Sequence, residues 1–313
     1  MRARELRHRL LTSRPLRFGF HKLERLLPPA VTDLIRHSLS EWTYVSREWP
    51  AQGLVGDGWN AESVAAAQSA HWPVLERNLS GTGPLGVSHL PSQITREHSG
   101  DHNAMMSYGY VLARAARNKH RLSVLDWGGG VGHYYLYSKA LLPEIVVDYH
   151  CFDVPALCRL GRDLVPEARF HDNVDEFRRT RFDLVVSSSS LHYFQDWRET
   201  AKLLAECSGE YLYLARLQTV DSSPSFVVRQ TPYGQGYATE FLSWFINRGE
   251  LIAFAGSLGL ELIREFVFAE HWNVKGAPEN GQGRGFLFRR QDPIAAFGVD
   301  DELVAIRTVH PLA

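Results

Sequence analysis

An acidic residue and a set of closely spaced glycines form the most distinctive chemical pattern in the sequence. Asp126 is followed by Gly128, Gly129, Gly130 and Gly132. Glycine has no Cβ, so it accepts positive φ and lets a ligand come close to the backbone. The apolar run before Asp126 and the helical pattern after the glycines predict a strand, a turn and a helix. The first N–H groups of that helix would face anything bound over the loop.

The spacing of the glycines separates two kinds of cofactor loop. A dinucleotide loop has the pattern Gly-x-Gly-x-x-Gly, in which a pyrophosphate rests on the helix N-terminus. Starting at Gly128, the last glycine of that pattern would fall on His133, so the pattern fails. Glycines at every second position, with an acid two residues before the first, resemble motif I of the class I S-adenosylmethionine-dependent methyltransferases. A glycine turn that binds no ligand is the alternative for the loop alone.

The resemblance implies a cofactor and its ligands. The loop would surround the amino-acid end of S-adenosyl-L-methionine, or of S-adenosyl-L-homocysteine as the bound product. Asp126 would anchor that end, and the four loop glycines would contact it.

A second acidic residue stands where a ribose would bind. Residues 145–152 form a predicted buried strand that ends at Asp153. A carboxylate about 20 residues beyond a glycine loop, at the end of a strand, can accept hydrogen bonds from both hydroxyls of a ribose. The following Val154 and Pro155 turn the chain, as they do in many small-molecule methyltransferases that the sequence resembles. We therefore expect Asp153 and Val154 to contact the cofactor.

The next two predicted strands are also followed by polar side chains. One ends in Asp172 and Asn173, where the resemblance implies a side chain against the adenine amino group. The other runs into Ser187 and Ser188. Ligands bind at the carboxyl ends of strands in open α/β sheets, so all four residues are candidate cofactor ligands.

The alternation of strand and helix patterns predicts an α/β protein with a doubly wound, Rossmann-like sheet. We expect seven strands, with residues 260–270 and 285–289 as the last two and the final strand antiparallel. A helical N-terminal accessory and cap region is predicted over residues 1–118. The class I methyltransferase-like domain would cover residues 119–292, and residues 293–313 would form a C-terminal tail.

Three histidines are candidates for catalysis. Methyl transfer needs a general base only when the acceptor group is weakly acidic. His192 follows the fourth predicted strand, and an ordinary histidine pKa of about 6.5 suits proton removal at neutral pH. Capping a helix or stacking on adenine is the alternative for this residue. His98 and His102 could take part in acid–base chemistry, with a capping or surface position as the alternative.

No metal site is predicted. His98 and His102 have the spacing of two ligands on one helix, but Gly100 makes a continuous helix doubtful and no third ligand is evident.

Five side chains are candidates for contact with the acceptor, and they are Tyr108, Tyr134, Tyr193, Arg216 and Gln230. The tyrosines would shape the pocket, and Arg216 would hold an anionic group. The run from Asp126 to Tyr135 resembles the motif of a bacterial methyltransferase subgroup that is often associated with surface-polysaccharide or secondary-metabolite genes. That subgroup also shows an arginine after strand five, to which Arg216 would correspond, and a Gln-x-x-Pro segment. Gln230 would correspond to the glutamine of that segment, although only Thr231 separates it from Pro232.

These residues predict transfer of a methyl group from S-adenosylmethionine to a small-molecule acceptor, in bacterial secondary-metabolite or surface-saccharide biosynthesis. A methyltransferase-fold enzyme that catalyses elimination or cyclisation is the first alternative. A non-catalytic subunit that binds the cofactor and a protein partner is the second.

Composition narrows the classes of partner. The net charge of −1 over 313 residues gives no reason to expect nucleic-acid binding. No stretch of about 20 apolar residues predicts a transmembrane helix, and the N-terminus lacks the pattern of a secretory signal. The three cysteines, which lack the spacing of a metal site, are typical of a reducing cytoplasm.

The basic side chains are concentrated at the N-terminus. Residues 1–25 hold eight basic and two acidic side chains, a net charge of +6, which leaves −7 for the rest of the chain. Such a basic amphipathic segment could bind a protein partner, form a homodimer or lie on anionic lipid. A solvated helix packed on its own domain is the alternative.

Overall fold

The structure, a computed structural model, describes residues 40–51, 57–86, 99–232 and 237–291. Its β-strands are Trp42–Ser46 (β1), Arg121–Trp127 (β2), Val146–Phe152 (β3), Arg169–His171 (β4), Phe182–Ser188 (β5), Ser208–Val220 (β6), Phe226–Gln230 (β7), Phe241–Asn247 (β8), Leu260–Trp272 (β9) and Gly281–Arg290 (β10). Its α-helices are Glu62–Leu79 (α1), Ser99–Ala115 (α2), His133–Leu141 (α3), Pro155–Leu164 (α4), Trp197–Cys207 (α5) and Arg248–Ser257 (α6). Short 3₁₀ helices cover Gly58–Asn60, Val174–Glu176 and Leu191–Tyr193.

The main sheet confirms the predicted α/β class. Seven strands lie in the order β4-β3-β2-β5-β6-β10-β9. The pairs among β4, β3, β2, β5 and β6 are parallel, whereas β10 pairs antiparallel with both β6 and β9. The chain leaves β2 toward β3 and β4 on one side and later returns to β5 and β6 on the other. The carboxyl end of β2 is therefore the topological switch point, where ligands bind in such sheets.

The central strands are buried because helices cover both faces of the sheet. Leu125 of β2 and Val185 of β5 have no exposed surface. Parallel strands covered on both faces are nearly continuously apolar, which is why these segments lack the alternation of a half-exposed strand. The three cysteines are buried free thiols within this core.

The predicted strand count was incomplete, because three more strands extend the sheet. β6 continues past Arg216, which has a φ of +49°, and its last residues pair in parallel with β8. β8 pairs antiparallel with β7, and β7 pairs antiparallel with β1. The sequences of these segments are short and largely apolar. Neither their length nor the periodicity of their side chains distinguishes a strand from a buried helical turn.

The last two strands are longer than predicted. β9 and β10 stay paired from Leu260 with Arg290 to Trp272 with Gly281, so the connection between them is only residues 273–280. Glycines at the start of β10 are more typical of a loop, but in this sheet they allow close packing. A Cβ on Gly281 would stand 1.9 Å from Cε1 of the buried Phe245.

The N-terminal accessory region is only partly helical. α1 and α2 agree with the predicted helical region over residues 1–118, but β1 does not. α1 packs on α3 and α4, and α2 packs on β6 and β9, so this region covers the sheet near the carboxyl end of β2. The basic segment 1–25 and the tail 293–313 lie outside the described residues. In the described ranges, no helix is both long enough and apolar enough to span a bilayer.

A glycine pair tests the packing of β10 against β8. We expect Gly281→Ala to lower the free energy of unfolding by about 1–3 kcal/mol, because the new methyl group collides with Phe245 in the core. Gly256→Ala is the matched control in α6, where a Cβ would meet nothing within 4 Å. It should raise the free energy by about 0.5–1 kcal/mol, because alanine favours helix. Urea unfolding measures both changes, and equal effects of the two substitutions would contradict the packing described for Gly281.

Candidate active site

A cavity of about 360 Å³ opens at the carboxyl ends of β2, β3, β5 and β6. It lies at the switch point of the sheet, where the sequence predicted a ligand. Eleven of the predicted site residues line it, and they are Asp126, Gly128, Gly129, Gly130, Tyr134, Asp153, Val154, Asp172, Ser188, Tyr193 and Arg216.

The loop requires glycines for two reasons, which are their backbone conformation and their lack of a side chain. Gly128 and Gly130 have φ of +71° and +63°. A Cβ on Gly128 would stand 2.3 Å from the Cβ of Ser190, and one on Gly129 would stand 2.3 Å from Oδ2 of Asp126. Gly132 also has positive φ, +94°, and caps α3, but it packs near Phe170 and does not line the cavity. The loop thus wraps closely around the carboxylate of Asp126.

Asp126 is a buried acid at the end of β2. Its Oδ2 accepts a hydrogen bond from the hydroxyl of Tyr149. Burial raises the pKa of Asp126 to about 7; the hydrogen bond from Tyr149 opposes this shift and the nearby charge of Asp153 adds to it. A cationic ligand group beside Asp126 would favour the ionised form.

Asp153 joins the glycine loop to the end of β3. Its Oδ2 accepts a hydrogen bond from the backbone N–H of Gly130, and its Oδ1 accepts one from the backbone N–H of Val154, both at 2.7 Å. Burial raises the pKa of Asp153 to about 6, and these two hydrogen bonds oppose the shift. Each carboxylate oxygen keeps a second lone pair, so the group can still accept hydrogen bonds from a diol in the cavity.

The two residues at the end of β4 have different positions. Asp172 lines the cavity, and its Oδ2 lies 3.6 Å from a guanidinium nitrogen of Arg162. Asn173 does not line the cavity. Its Oδ1 accepts a hydrogen bond from the backbone N–H of Asp175 at 3.0 Å and caps the 3₁₀ helix that follows. Local capping is a common alternative for an asparagine at such a turn.

The end of β5 presents one of its two predicted serines to the cavity. The Oγ of Ser188 accepts a hydrogen bond from the hydroxyl of Tyr134 at 2.6 Å, and both residues line the cavity. Ser187 does not line the cavity, and its Oγ lies 2.7 Å from that of Ser190, which does. Ser189 between them has a φ of +54°, which is uncommon for a residue with a side chain.

Arg216 reaches the cavity from β6 but is held by two carboxylates. Its guanidinium lies 3.0 Å from Asp101 of α2 and 2.5 Å from Glu270 of β9. Burial would lower the pKa of Arg216, but Glu270 and Asp101 outweigh it and raise the pKa above its ordinary value. The positive charge expected to hold an anionic acceptor is therefore already balanced within the protein.

His192 is placed differently from the prediction of a general base at the site. Its side chain has no exposed surface and does not line the cavity. Burial and the charge of Arg216 lower its pKa to about 3. Among the described residues, neither ring nitrogen has a hydrogen-bond partner, and the ring packs 4.4 Å from that of Tyr193. His192 lies in the 3₁₀ helix Leu191–Tyr193 and is buried there. Neither its residue type nor its position after a strand could predict that burial.

The other predicted side chains lie behind the cavity wall. The hydroxyl of Tyr108 is 2.7 Å from Oγ of Ser138 in the core, and Nδ1 of His102 lies 3.3 Å from the carbonyl oxygen of Leu85. Neither side chain lines the cavity. His98 lies outside the described residues.

Gln230 acts through a neighbour instead of lining the cavity. Its Oε1 accepts a hydrogen bond from the hydroxyl of Tyr193 at 2.9 Å, and its Nε2 donates to Glu41 at 3.0 Å. It therefore fixes the orientation of a tyrosine that does line the cavity.

Several lining residues were not predicted from the sequence. Trp59 and Gln68 come from the accessory region, and His133 begins α3 directly after the glycine loop. Trp59 stacks on Phe241 at 4.3 Å and meets Tyr193 edge-on at 5.0 Å, which forms an aromatic wall. Because His133 directly follows the glycine loop in the sequence, its place in the cavity wall could have been predicted. Nothing in the local sequence indicates that Trp59 and Gln68 fold over a loop more than 60 residues away.

Metal ligands are not grouped in the described part of the chain, where no three His, Cys, Asp or Glu side chains have the arrangement of a metal site.

Three solved structures are similar to the chain at low sequence identity. The chain resembles 1,6-didemethyltoxoflavin-N1-methyltransferase from Burkholderia thailandensis at 16% identity and a TM-score of 0.44, over 79% of this chain and 99% of that one. It resembles magnesium protoporphyrin IX methyltransferase from Synechocystis at 13% identity and a TM-score of 0.42, over 74% and 98%. An amino pentose methyltransferase from Micromonospora echinaspora is similar at 16% identity and a TM-score of 0.38, over 61% and 91%. These values are too low to transfer a substrate to this chain.

Sequence comparison gives the family. No curated protein matches the chain. A family profile described as a methyltransferase domain matches residues 102–265, which is more than half of the 313 residues and includes the glycine loop, Asp126 and Asp153. The chain therefore belongs to the methyltransferase-domain family.

Proposed function

We propose that the protein transfers a methyl group from S-adenosylmethionine to a small-molecule acceptor. The observation that carries the proposal is a pair of carboxylates, the buried Asp126 and the half-buried Asp153, which line one cavity with the glycine loop between them. Asp153 has lone pairs left for a ribose diol, and Asp126 can balance a cationic amino group. Membership of the methyltransferase-domain family supports the same activity.

The order of the strands supports one orientation of the cofactor in the cavity. The ends of β3 and β4 lie on one side of the glycine loop, and there Asp153, Val154 and Asp172 line the cavity. We place the adenosine on this side. The amino-acid end would then lie over the loop beside Asp126, and the methyl group would point toward the ends of β5 and β6.

The acceptor side of the cavity is aromatic and carries little net charge. Trp59, Tyr134 and Tyr193 line it, and burial raises the pKa of both tyrosines, so their hydroxyls stay neutral. Arg216 is balanced by its two carboxylates. An acceptor with a flat or apolar body fits this wall better than an anionic one. A role in bacterial secondary-metabolite or surface-saccharide biosynthesis is supported by the resemblance of the motif from Asp126 to Tyr135.

The reaction needs alignment more than acid–base chemistry. When bound, S-adenosylmethionine supplies an activated methyl group whose bond to sulfur breaks as the bond to the acceptor forms. The chain holds the two reactants in line and keeps water out of the cavity. The residues that we assign to the acceptor side are Trp59, Tyr134, Tyr193 and Arg216, and none of these lining residues is a carboxylate or a histidine. We therefore propose an acceptor that is nucleophilic without the help of a buried base, such as an amine or an activated carbon.

The alternative chemistries receive no support from the described residues. Elimination or cyclisation would need acid–base groups at the cavity. Of the two candidates, His98 lies outside the described residues, and His102 lies against the carbonyl oxygen of Leu85 without lining the cavity. A protein partner or a homodimer through the basic segment 1–25 stays a prediction, as does the absence of nucleic-acid binding.

The first test measures cofactor binding. Asp153→Asn should weaken binding of S-adenosylhomocysteine by about 1–3 kcal/mol in calorimetry, because charge-assisted hydrogen bonds to the ribose are lost. Asp148→Asn is the matched control. It removes an acid from the same strand, β3, where Asp148 pairs with Arg121 and Arg169 outside the cavity. This control should bind like the wild type, and wild-type protein that binds NAD but not S-adenosylhomocysteine would refute the proposed function.

The second test uses the raised pKa of Asp126. The ionised carboxylate is the form that attracts an ammonium group, and burial holds its pKa at about 7. Affinity for S-adenosylhomocysteine should therefore rise as the pH increases from about 5.5 to 8, by at most about tenfold per pH unit for one proton. Calorimetry in buffers of different ionisation enthalpy should detect proton release on binding. Asp126→Asn should reduce both effects, and an affinity of the wild type that does not change with pH would contradict the assignment.

The third test concerns His192. Labelled methyl transfer should first be screened against amine and aromatic acceptors, and kcat then measured on one that reacts. We expect His192→Gln to change kcat by less than about tenfold, because the ring lies behind the cavity wall and its pKa is about 3. Removal of a true general base lowers rates by about 10²–10⁴. A loss of that size, with unchanged cofactor affinity and thermal stability, would restore His192 as the base.

A further inference from the structure

Gln68 carries a buried hydrogen-bond acceptor that the protein leaves unused. It lies on α1 of the accessory region, lines the cavity and is only 4% exposed. Its Oε1 has no hydrogen-bond partner among the described residues. A buried amide oxygen is nearly always satisfied in a folded protein, so an unsatisfied one facing a cavity indicates a ligand that donates to it.

The Gln68 amide lies beside the side chain of Tyr237. Burial raises the pKa of the Tyr237 hydroxyl, and the interaction with the Gln68 side chain opposes that shift.

The amide oxygen points at the glycine loop. A Cβ placed on Gly130 would stand 3.1 Å from Oε1 of Gln68, and a Cβ on the neighbouring Gly129 would stand 2.3 Å from Oδ2 of Asp126. The loop is thus bounded by Asp126 on the sheet side and by Gln68 on the side of the accessory region. The space over the loop is where the amino-acid end of the cofactor is expected.

The charges around this space favour a cation. Asp126 is acidic, and burial lowers the pKa of the adjacent His133 to about 4, so its ring is neutral at physiological pH. Gln68 adds a second acceptor. Of the described residues that line the cavity, the only cationic one is Arg216, which is bound to Asp101 and Glu270.

We infer that Gln68 is a ligand-binding residue whose Oε1 accepts a hydrogen bond from the α-ammonium group of the cofactor, across the glycine loop from Asp126. The inference rests on the proposed function, because it assigns a further contact in the same cavity. It makes the accessory region a part of the binding site that distinguishes nucleosides with an amino-acid end from those without one.

Two nucleosides that differ in this end test the inference. S-adenosylhomocysteine has the ammonium group, whereas 5′-methylthioadenosine lacks the whole amino-acid end. We expect Gln68→Met, which keeps the size of the side chain, to weaken binding of S-adenosylhomocysteine by about tenfold, because a hydrogen bond to a charged group is lost. Binding of 5′-methylthioadenosine should change by less than about twofold.

Two further variants separate this role from a packing role. Gln68→Glu keeps an acceptor oxygen and should retain most of the preference for S-adenosylhomocysteine. Leu75→Ala removes a buried side chain, 3% exposed, from the same helix without touching the cavity, and should affect both nucleosides equally. Thermal unfolding identifies variants that lose structure.

The outcomes are distinct. Equal weakening of both nucleosides by Gln68→Met, or weakening of neither, would overturn the inference and leave the proposed function standing. Wild-type protein that binds neither nucleoside would overturn the proposed function and the inference together.

Discussion

The site depends on the two hydrogen bonds that the backbone N–H groups of Gly130 and Val154 donate to Asp153. They join the loop after β2 to the end of β3, so the two acids of the cavity keep a fixed separation. The same carboxylate is left with lone pairs for a diol, so the group that braces the loop is also the group that we propose for binding the ribose. Burial raises its pKa to about 6, and the amides oppose that shift, which keeps it mostly ionised at neutral pH.

The accessory region completes what the sheet begins. The strands supply the acids and the loop, but Trp59 and Gln68 supply the opposite wall of the cavity. The accessory region also supplies Asp101 of α2, which balances part of the charge of Arg216. The same sheet can serve enzymes with many different substrates. We therefore expect the residues that surround the acceptor to come partly from the accessory region and not from the sheet alone.

Residues whose position depends on a local sequence pattern could be predicted. Asp126 and Asp153 stand at strand ends beside glycines that only a tight loop requires, and the structure brings them to one cavity. His192 and Gln68 were not predictable in the same way. Burial of His192 and the approach of Gln68 to the loop are set by packing between segments far apart in the chain. The strands β1, β7 and β8 were missed for a similar reason, because their pairing partners, and not their own short sequences, make them strands.

We propose above all that S-adenosylmethionine and its demethylated product lie in this cavity with the amino-acid end over the glycine loop. A crystal structure of the protein with S-adenosylhomocysteine tests this placement most directly. We expect the ribose hydroxyls to lie within hydrogen-bond distance of Asp153, and the amino nitrogen to lie between Asp126 and Oε1 of Gln68, within about 3.2 Å of the latter. A nucleoside bound elsewhere, or one in the cavity with its ribose at Asp126 and its amino group at Asp172, would contradict it.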